Sequence, residues 1–152
     1  MEEQNKNELA RNILSVVAGV LAAIAAGAVL WPLINMIFDK YFHLHLFTES
    51  PAGAWKNDLV IGIAFGSWFF LSSLIGGFIC TIISTRYDLA NVTVSAMVGV
   101  ALFFFISDGE IFREKSLGSW MILLCIPIGF FAGELAGVLY KRKKSIRSSA
   151  NK

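Results

Sequence analysis

The chain has 152 residues, with 13 Lys and Arg against 11 Asp and Glu; 56% of it is hydrophobic and only 16% charged, where an ordinary soluble domain carries about 25% charge. That deficit points away from water as the solvent. The length allows one domain, 13 Gly with 3 Pro exclude a collagenous or low-complexity chain, and two Cys exclude a disulfide framework.

The first run free of Asp, Glu, Lys and Arg is 12–38. Lys6 and Arg11 precede it, and Ala26-Gly27-Ala28 resembles a small-residue cleavage site, so a signal peptide has to be weighed. Glu2, Glu3 and Glu8 make a poor n-region. The apolar stretch also continues past the would-be cut through Val29, Leu30, Trp31, Leu33, Ile34, Ile37 and Phe38. The pattern predicts an uncleaved first span, which Pro32 should kink.

A longer connection follows. Tyr41 and the aromatic residues up to Phe47 are expected along the membrane interface, ahead of the turn signal Ser50-Pro51-Ala52-Gly53. His43 and His45 have Asp39 and Glu49 nearby. An i, i+2 His pair shares a face only in a strand, whereas Asp39 and His43 share one only in a helix, so interfacial side chains are expected rather than a metal site.

Two more charge-free runs cover 59–85 and 89–107. Little more than Arg86, Tyr87 and Asp88 separates them, so the second and third spans should be antiparallel neighbours. The fourth run, 116–140, holds one charge, Glu134, and its span is expected over about 118–140, kinked at Pro127. Each run supplies the roughly 20 apolar residues a helix needs to cross hydrocarbon. Segments such as 13–30 and 96–106 are apolar all round, without the polar stripe of a soluble helix. The expectation is an all-α polytopic membrane protein, a four-helix antiparallel bundle forming a single domain over 1–152.

With both termini on one side, that side holds Lys6, Arg11, Arg86, Lys141, Arg142, Lys143, Lys144, Arg147 and Lys152, against Lys40, Lys56, Arg113 and Lys115 on the other. Basic residues mark the cytoplasmic side, so both termini are expected inside, in the inner membrane. Trp31, Trp55 and Trp120 fall near the outer boundary, while Trp68 and Phe69-Phe70 lie deeper and read as packing. The tail Lys141-Arg142-Lys143-Lys144 suits anionic lipid headgroups. No aromatic platform accompanies it, so nucleic acid is not an expected partner.

Lipid tails are as apolar as Leu, so helices in a membrane associate through close packing and interhelical hydrogen bonds. Small residues four apart mark the seams: Gly19, Ala23 and Gly27; Gly62 and Gly66, then Ser73 and Gly77; Asn91, Ser95 and Gly99; Gly129, Gly133 and Gly137. Such rows serve packing within the bundle, or one of them faces a second copy or another membrane subunit.

Glu134 is the leading candidate for chemistry. It lies seven residues before Lys141, about 10 Å inside the boundary, where a carboxylate is costly and is a functional hypothesis by default. Arg86, Thr81 and Asn91 fall at a similar depth as its candidate partners, with Ser84, Thr93 and Ser95 nearby. Three readings stay open: an ion pair or hydrogen-bonded Glu that fixes helix register, a proton or cation site, and a side chain reaching back to the interface. Cys80 and Cys125 differ in expected depth by more than a disulfide can bridge. No Walker loop, nucleophile elbow, H-E-x-x-H or dinucleotide fingerprint occurs, and no cofactor is expected.

The element Gly76-Gly77-Phe78-Ile79-Cys80-Thr81-Ile82-Ile83-Ser84-Thr85-Arg86, a Gly-Gly pair in a second span that ends on a basic residue, resembles small four-helix proteins of bacterial inner membranes, mostly uncharacterised. Trp120 with Pro127 approximates a further pattern of such families. The resemblance implies a bacterial multi-pass protein and transfers no activity. The expected role is non-enzymatic, a packing or interaction subunit or a homo-oligomer; the alternative is a small transporter or channel-like protein using Glu134. A membrane enzyme stands third, because convergent acid, base and stabilising groups are not visible.

Overall fold

A long apolar run has no water with which to pair its backbone, and the α-helix satisfies each N–H and C=O within the segment. The computed structural model describes residues 2–42, 54–84, 89–106 and 117–150. They form four helices: α1 Glu2–Phe42, α2 Ala54–Ile83, α3 Leu89–Ile106 and α4 Leu117–Ala150. No strand occurs among the described residues. The expected interfacial aromatic stretch beyond residue 42, His43, His45 and Arg86 lie outside them.

Three helices are long and apolar enough to cross a membrane, over Asn7–Phe38, Gly62–Ile83 and Trp120–Ser148, and the apolar run Leu89–Phe105 of α3 is shorter. At 1.5 Å per residue the 18 residues of α3 span about 27 Å, just under the roughly 30 Å of hydrocarbon. Outward faces carry bare apolar side chains on every helix, among them Leu21, Val29, Leu71, Met97, Phe105, Leu124 and Leu135. Apolar surface of this extent on helices of membrane-spanning length belongs in a bilayer, and the chain is a polytopic membrane protein built as a four-helix bundle.

The contact order along each pair fixes the directions. Gly19 meets Cys80 while Gly27 meets Ser72, so α1 and α2 are antiparallel. Gly62 meets Gly118 while Thr81 meets Gly137, so α2 and α4 run parallel. Ser95 lies by Cys80 and Phe103 by Phe69, making α3 antiparallel to α2. The order is up-down-up-down, and its most extensive interface joins α2 to α4, followed by α1 with α2.

The Gly-Gly pair explains how α2 takes a helix on each side. Adjacent residues point about 100° apart: a methyl group added at Gly76 would lie 2.6 Å from the Gly19 carbonyl oxygen of α1, and one at Gly77 would run into the Phe130 carbonyl of α4. With no Cβ at either position, both backbones approach α2 at the same level.

Side chains fill the rest. Cys80, Val92, Ala96, Phe103, Ile122, Ile126 and Phe130 form one core cluster, and Ile34, Phe38 and Ala64 a second. An aromatic ladder crosses three helices: Trp31 packs on Trp68 at 4.8 Å between ring centroids, Trp68 on Phe69 at 4.6 Å, and Phe69 on Phe103 at 4.7 Å. The Trp68 indole N–H also donates to the Gly27 carbonyl at 2.7 Å, which meets the hydrogen-bonding need of a ring inside lipid. Trp31, expected at the boundary, is half-buried in this ladder.

Candidate functional site

At the end of the bundle where α1 begins and α4 finishes, polar side chains of three helices converge. Asn12 and Ser15 stand three apart on α1, so they share a face, and four-residue steps continue it through Gly19, Ala23 and Gly27. Asn91 and Ser95 stand four apart at the start of α3; Cys80 and Ser84 do the same at the end of α2. The three rows meet because α1 and α3 both lie against α2 there.

Asn91 is the hub. Its amide donates to Asn12 Oδ1 at 3.3 Å, Ser84 Oγ at 3.3 Å and Ser15 Oγ at 3.5 Å. Two amide protons serve these three acceptors, so one is shared. Deeper in, the Cys80 thiol sits between two fully buried hydroxyls, 3.6 Å from Ser95 Oγ and 3.9 Å from Ser15 Oγ. Ser15 and Ser95 donate in turn to the carbonyls of Asn12 and Asn91, at 2.7 and 2.9 Å. Among the described residues no buried side-chain nitrogen or oxygen lacks a partner.

Lys141 closes this end from α4. Its ammonium donates to the Ser84 carbonyl at 2.7 Å, one residue past the last of α2. Helix C-termini leave carbonyls without intrahelical donors and carry partial negative charge, so a cation there is favourable. Lys141 is therefore half-buried, while Arg142, Lys143 and Lys144 stand exposed on the part of α4 that continues to Ala150. The basic tail expected to meet headgroups is helical over this stretch, and its first member is drawn onto α2.

Glu134 is apart from the cluster. It is half-buried and makes no hydrogen bond or ion pair among the described residues. Its expected neighbours are engaged elsewhere: Asn91 turns to α1 and α2, and Thr81 bonds back to the Gly77 carbonyl at 2.9 Å while its Cβ would meet a methyl group at Gly137 at 2.8 Å. Phe130, one turn before Glu134, is buried and fills the space under Gly99, 3.2 Å from an added methyl group there.

The small-residue rows lie inside the bundle. Gly19, Ala23 and Gly27 face α2; Gly129, Gly133 and Gly137 face Phe70, Ser73, Leu74, Phe78 and Thr81 of the same helix. Gly62 meets Gly118, and Gly66 meets Cys125 Sγ at 3.2 Å from an added methyl group. Cys80 and Cys125 are both free. The contribution of Asn12 and Ser15 is the part the sequence reading left out; the row Gly19-Ala23-Gly27, read one step earlier, ends on Ser15.

In chemical terms the cluster is neutral. It holds amides, hydroxyls and a thiol, with Lys141 at its edge, and no carboxylate or imidazole enters it among the described residues. Its evident work is to join α1, α2 and α3 at fixed register.

The family model described as "Ubiquitinol-cytochrome C reductase Fe-S subunit TAT signal" matches residues 1–37. That stretch is 37 of 152 residues and coincides with most of α1. It contains one arginine, Arg11, followed by Asn12 rather than by the second arginine of a twin-arginine pair. The chain matches no curated protein and no solved structure.

Proposed function

We propose that this chain is a non-enzymatic multi-pass protein of a bacterial inner membrane, with both termini in the cytoplasm, that acts as an interaction subunit. The observation that carries the reading is the contrast between half-buried Glu134 and the fully buried polar groups. The Asn91 cluster is satisfied within the bundle, and the glycine rows are covered by neighbouring helices. One carboxylate, half-buried in an otherwise apolar part of α4, has no partner among the described residues. An ionisable group at such a place is a functional site by default, and its partner in this reading lies outside the fold.

The Gly-Gly element and the basic end of the second span support the bacterial assignment by resemblance. The match of the first 37 residues to an export-type signal fits a first helix that inserts with its N-terminus inside, and we propose that this helix is retained rather than cleaved. The test of the subunit reading is purification in several mild detergents. It requires an oligomer of defined size or a complex of fixed stoichiometry; a monodisperse monomer in each detergent overturns it.

The same carboxylate favours one rival, a proton or cation carrier. That reading requires a pH-dependent flux in reconstituted vesicles that Glu134→Gln abolishes without loss of helicity. The subunit reading requires no such flux from either protein.

A further inference from the structure

Between α3 and α4 lies an open groove of about 460 Å³. Its walls include Thr93, Met97, Ala101 and Phe105 of α3 and Pro127 and Phe131 of α4. Pro127, Phe131 and Glu134 follow the i, i+4, i+7 spacing of a single helix stripe. Glu134 therefore continues the α4 wall by one turn, toward the end where Lys141 sits. Glu134 is not itself a wall of the groove, but the α4 stripe that lines it leads on to this carboxylate, which has no partner among the described residues.

We propose that this groove is the docking site for a transmembrane helix of a partner protein that presents a Lys or Arg side chain to Glu134. The inference rests on the interaction-subunit reading and specifies its surface. Charge complementarity selects the occupant. A second copy of the chain offers no counter-charge within its runs 12–38, 59–85 and 89–107, which contain no Lys or Arg, and Arg11 precedes the first of them at the boundary. Its Lys141 also lies two turns beyond Glu134, engaged with the Ser84 carbonyl. A lipid tail fills the apolar channel but brings no donor to that depth, and an anionic headgroup is repelled by the carboxylate. A helix with one basic side chain supplies apolar surface for the channel and a charge-assisted bond at its end. Groove and carboxylate are then satisfied together.

The experiment uses the full chain, donor-labelled at its C-terminus, in phosphatidylcholine vesicles with acceptor-labelled synthetic Leu-Ala transmembrane peptides. One peptide carries a single Lys about 10 Å inside the boundary; its control carries Leu there. Energy transfer should report association about tenfold tighter for the Lys peptide, within the range of interhelical polar contacts in membranes. Glu134→Leu should bring the two peptides level, and Ala101→Phe should weaken both by filling the groove. Ala101 is exposed, so the larger ring meets no packed neighbour, and unchanged circular dichroism checks both variants.

Equal binding of the Lys and Leu peptides overturns the proposal, as does a preference that survives Glu134→Leu. Transfer between two labelled copies that Ala101→Phe abolishes, with neither peptide bound, identifies the occupant as a second copy and also overturns it. Peptide failure alongside a stable complex of fixed stoichiometry removes the groove assignment and leaves the subunit reading standing. Failure of both removes both.

Discussion

At Gly77 and Gly133 an added methyl group meets main chain of the facing helix: the Phe130 carbonyl in one case, the Leu74 carbonyl and Phe78 nitrogen in the other. Backbone cannot rotate aside as a side chain does. Gly133→Ala or Gly77→Ala should therefore push α2 and α4 apart and cost about 1–3 kcal/mol or more, read as a lower unfolding midpoint in a detergent titration. Gly99→Ala meets the edge of the Phe130 ring at 3.2 Å and an Ile126 methyl at 3.3 Å, groups that can shift by a few tenths of an ångström, so its effect should be smaller. Equal losses at Gly99 and Gly133 would refute this ordering. Asn91→Ala tests the polar hub. Ser15 keeps its bond to the Asn12 carbonyl, so the loss should be modest, about 1 kcal/mol, in line with membrane hydrogen bonds generally; an effect several times larger would mean the cluster holds more than register. Legibility at this scale was uneven. The glycine rows could be read from four-residue spacing alone, because spacing defines a helix face. Two of the three partners of Asn91 could not, because they lie on α1, 76 and 79 residues away in sequence.

Among the helices, α2 makes the two most extensive interfaces, with α4 and with α1, and its exit is held by a side chain from α4. The Lys141 bond to the Ser84 carbonyl supplies a donor and a positive charge where α2 has neither, since no basic residue occurs in its last turn. Lys141→Gln retains a donor but shortens the reach and deletes the charge. The expected result is faster amide exchange at Ser84, whose N–H bonds the Cys80 carbonyl, with a loss of about 0.3–1 kcal/mol confined to the last turn. Exchange near Gly66, in the middle of α2, should not change; if it rises equally, Lys141 supports the bundle globally and not as a cap. The existence of each helix was legible because an apolar run in lipid has only one way to satisfy its backbone. The dominant α2–α4 pairing was not, because short connections report only chain neighbours, and these two parallel helices are separated by the whole of α3.

For the molecule as a whole, the distribution of cations makes the sharpest demand. Nine Lys or Arg residues fall on the side of the termini and four on the other, and that bias sets orientation in short-looped membrane proteins. The first helix is also built into the fold: its Asn12 and Ser15 belong to the polar cluster, its Gly19 seats against Gly76 and Cys80, and its Gly27 carbonyl accepts the Trp68 indole. Cutting after Ala28 would strip α2 of most of the helix on that face, leaving only the part that carries Trp31, Ile34 and Phe38. We therefore expect protein purified from membranes to retain residues 1–28 in its intact mass, and single-cysteine probes at both ends to resist an impermeant thiol reagent in sealed cells while reacting after lysis. The native Cys80 is fully buried and Cys125 is half-buried against Gly66, so replacing both with Ala first removes the background with small packing losses. Replacing Lys141, Arg142, Lys143, Lys144 and Arg147 with Gln leaves four cations on each side, and the end probes should then label as a mixture of orientations. A chain that keeps one uniform orientation after that change would show that something other than the basic tail, such as early insertion of α1, decides which way the bundle faces.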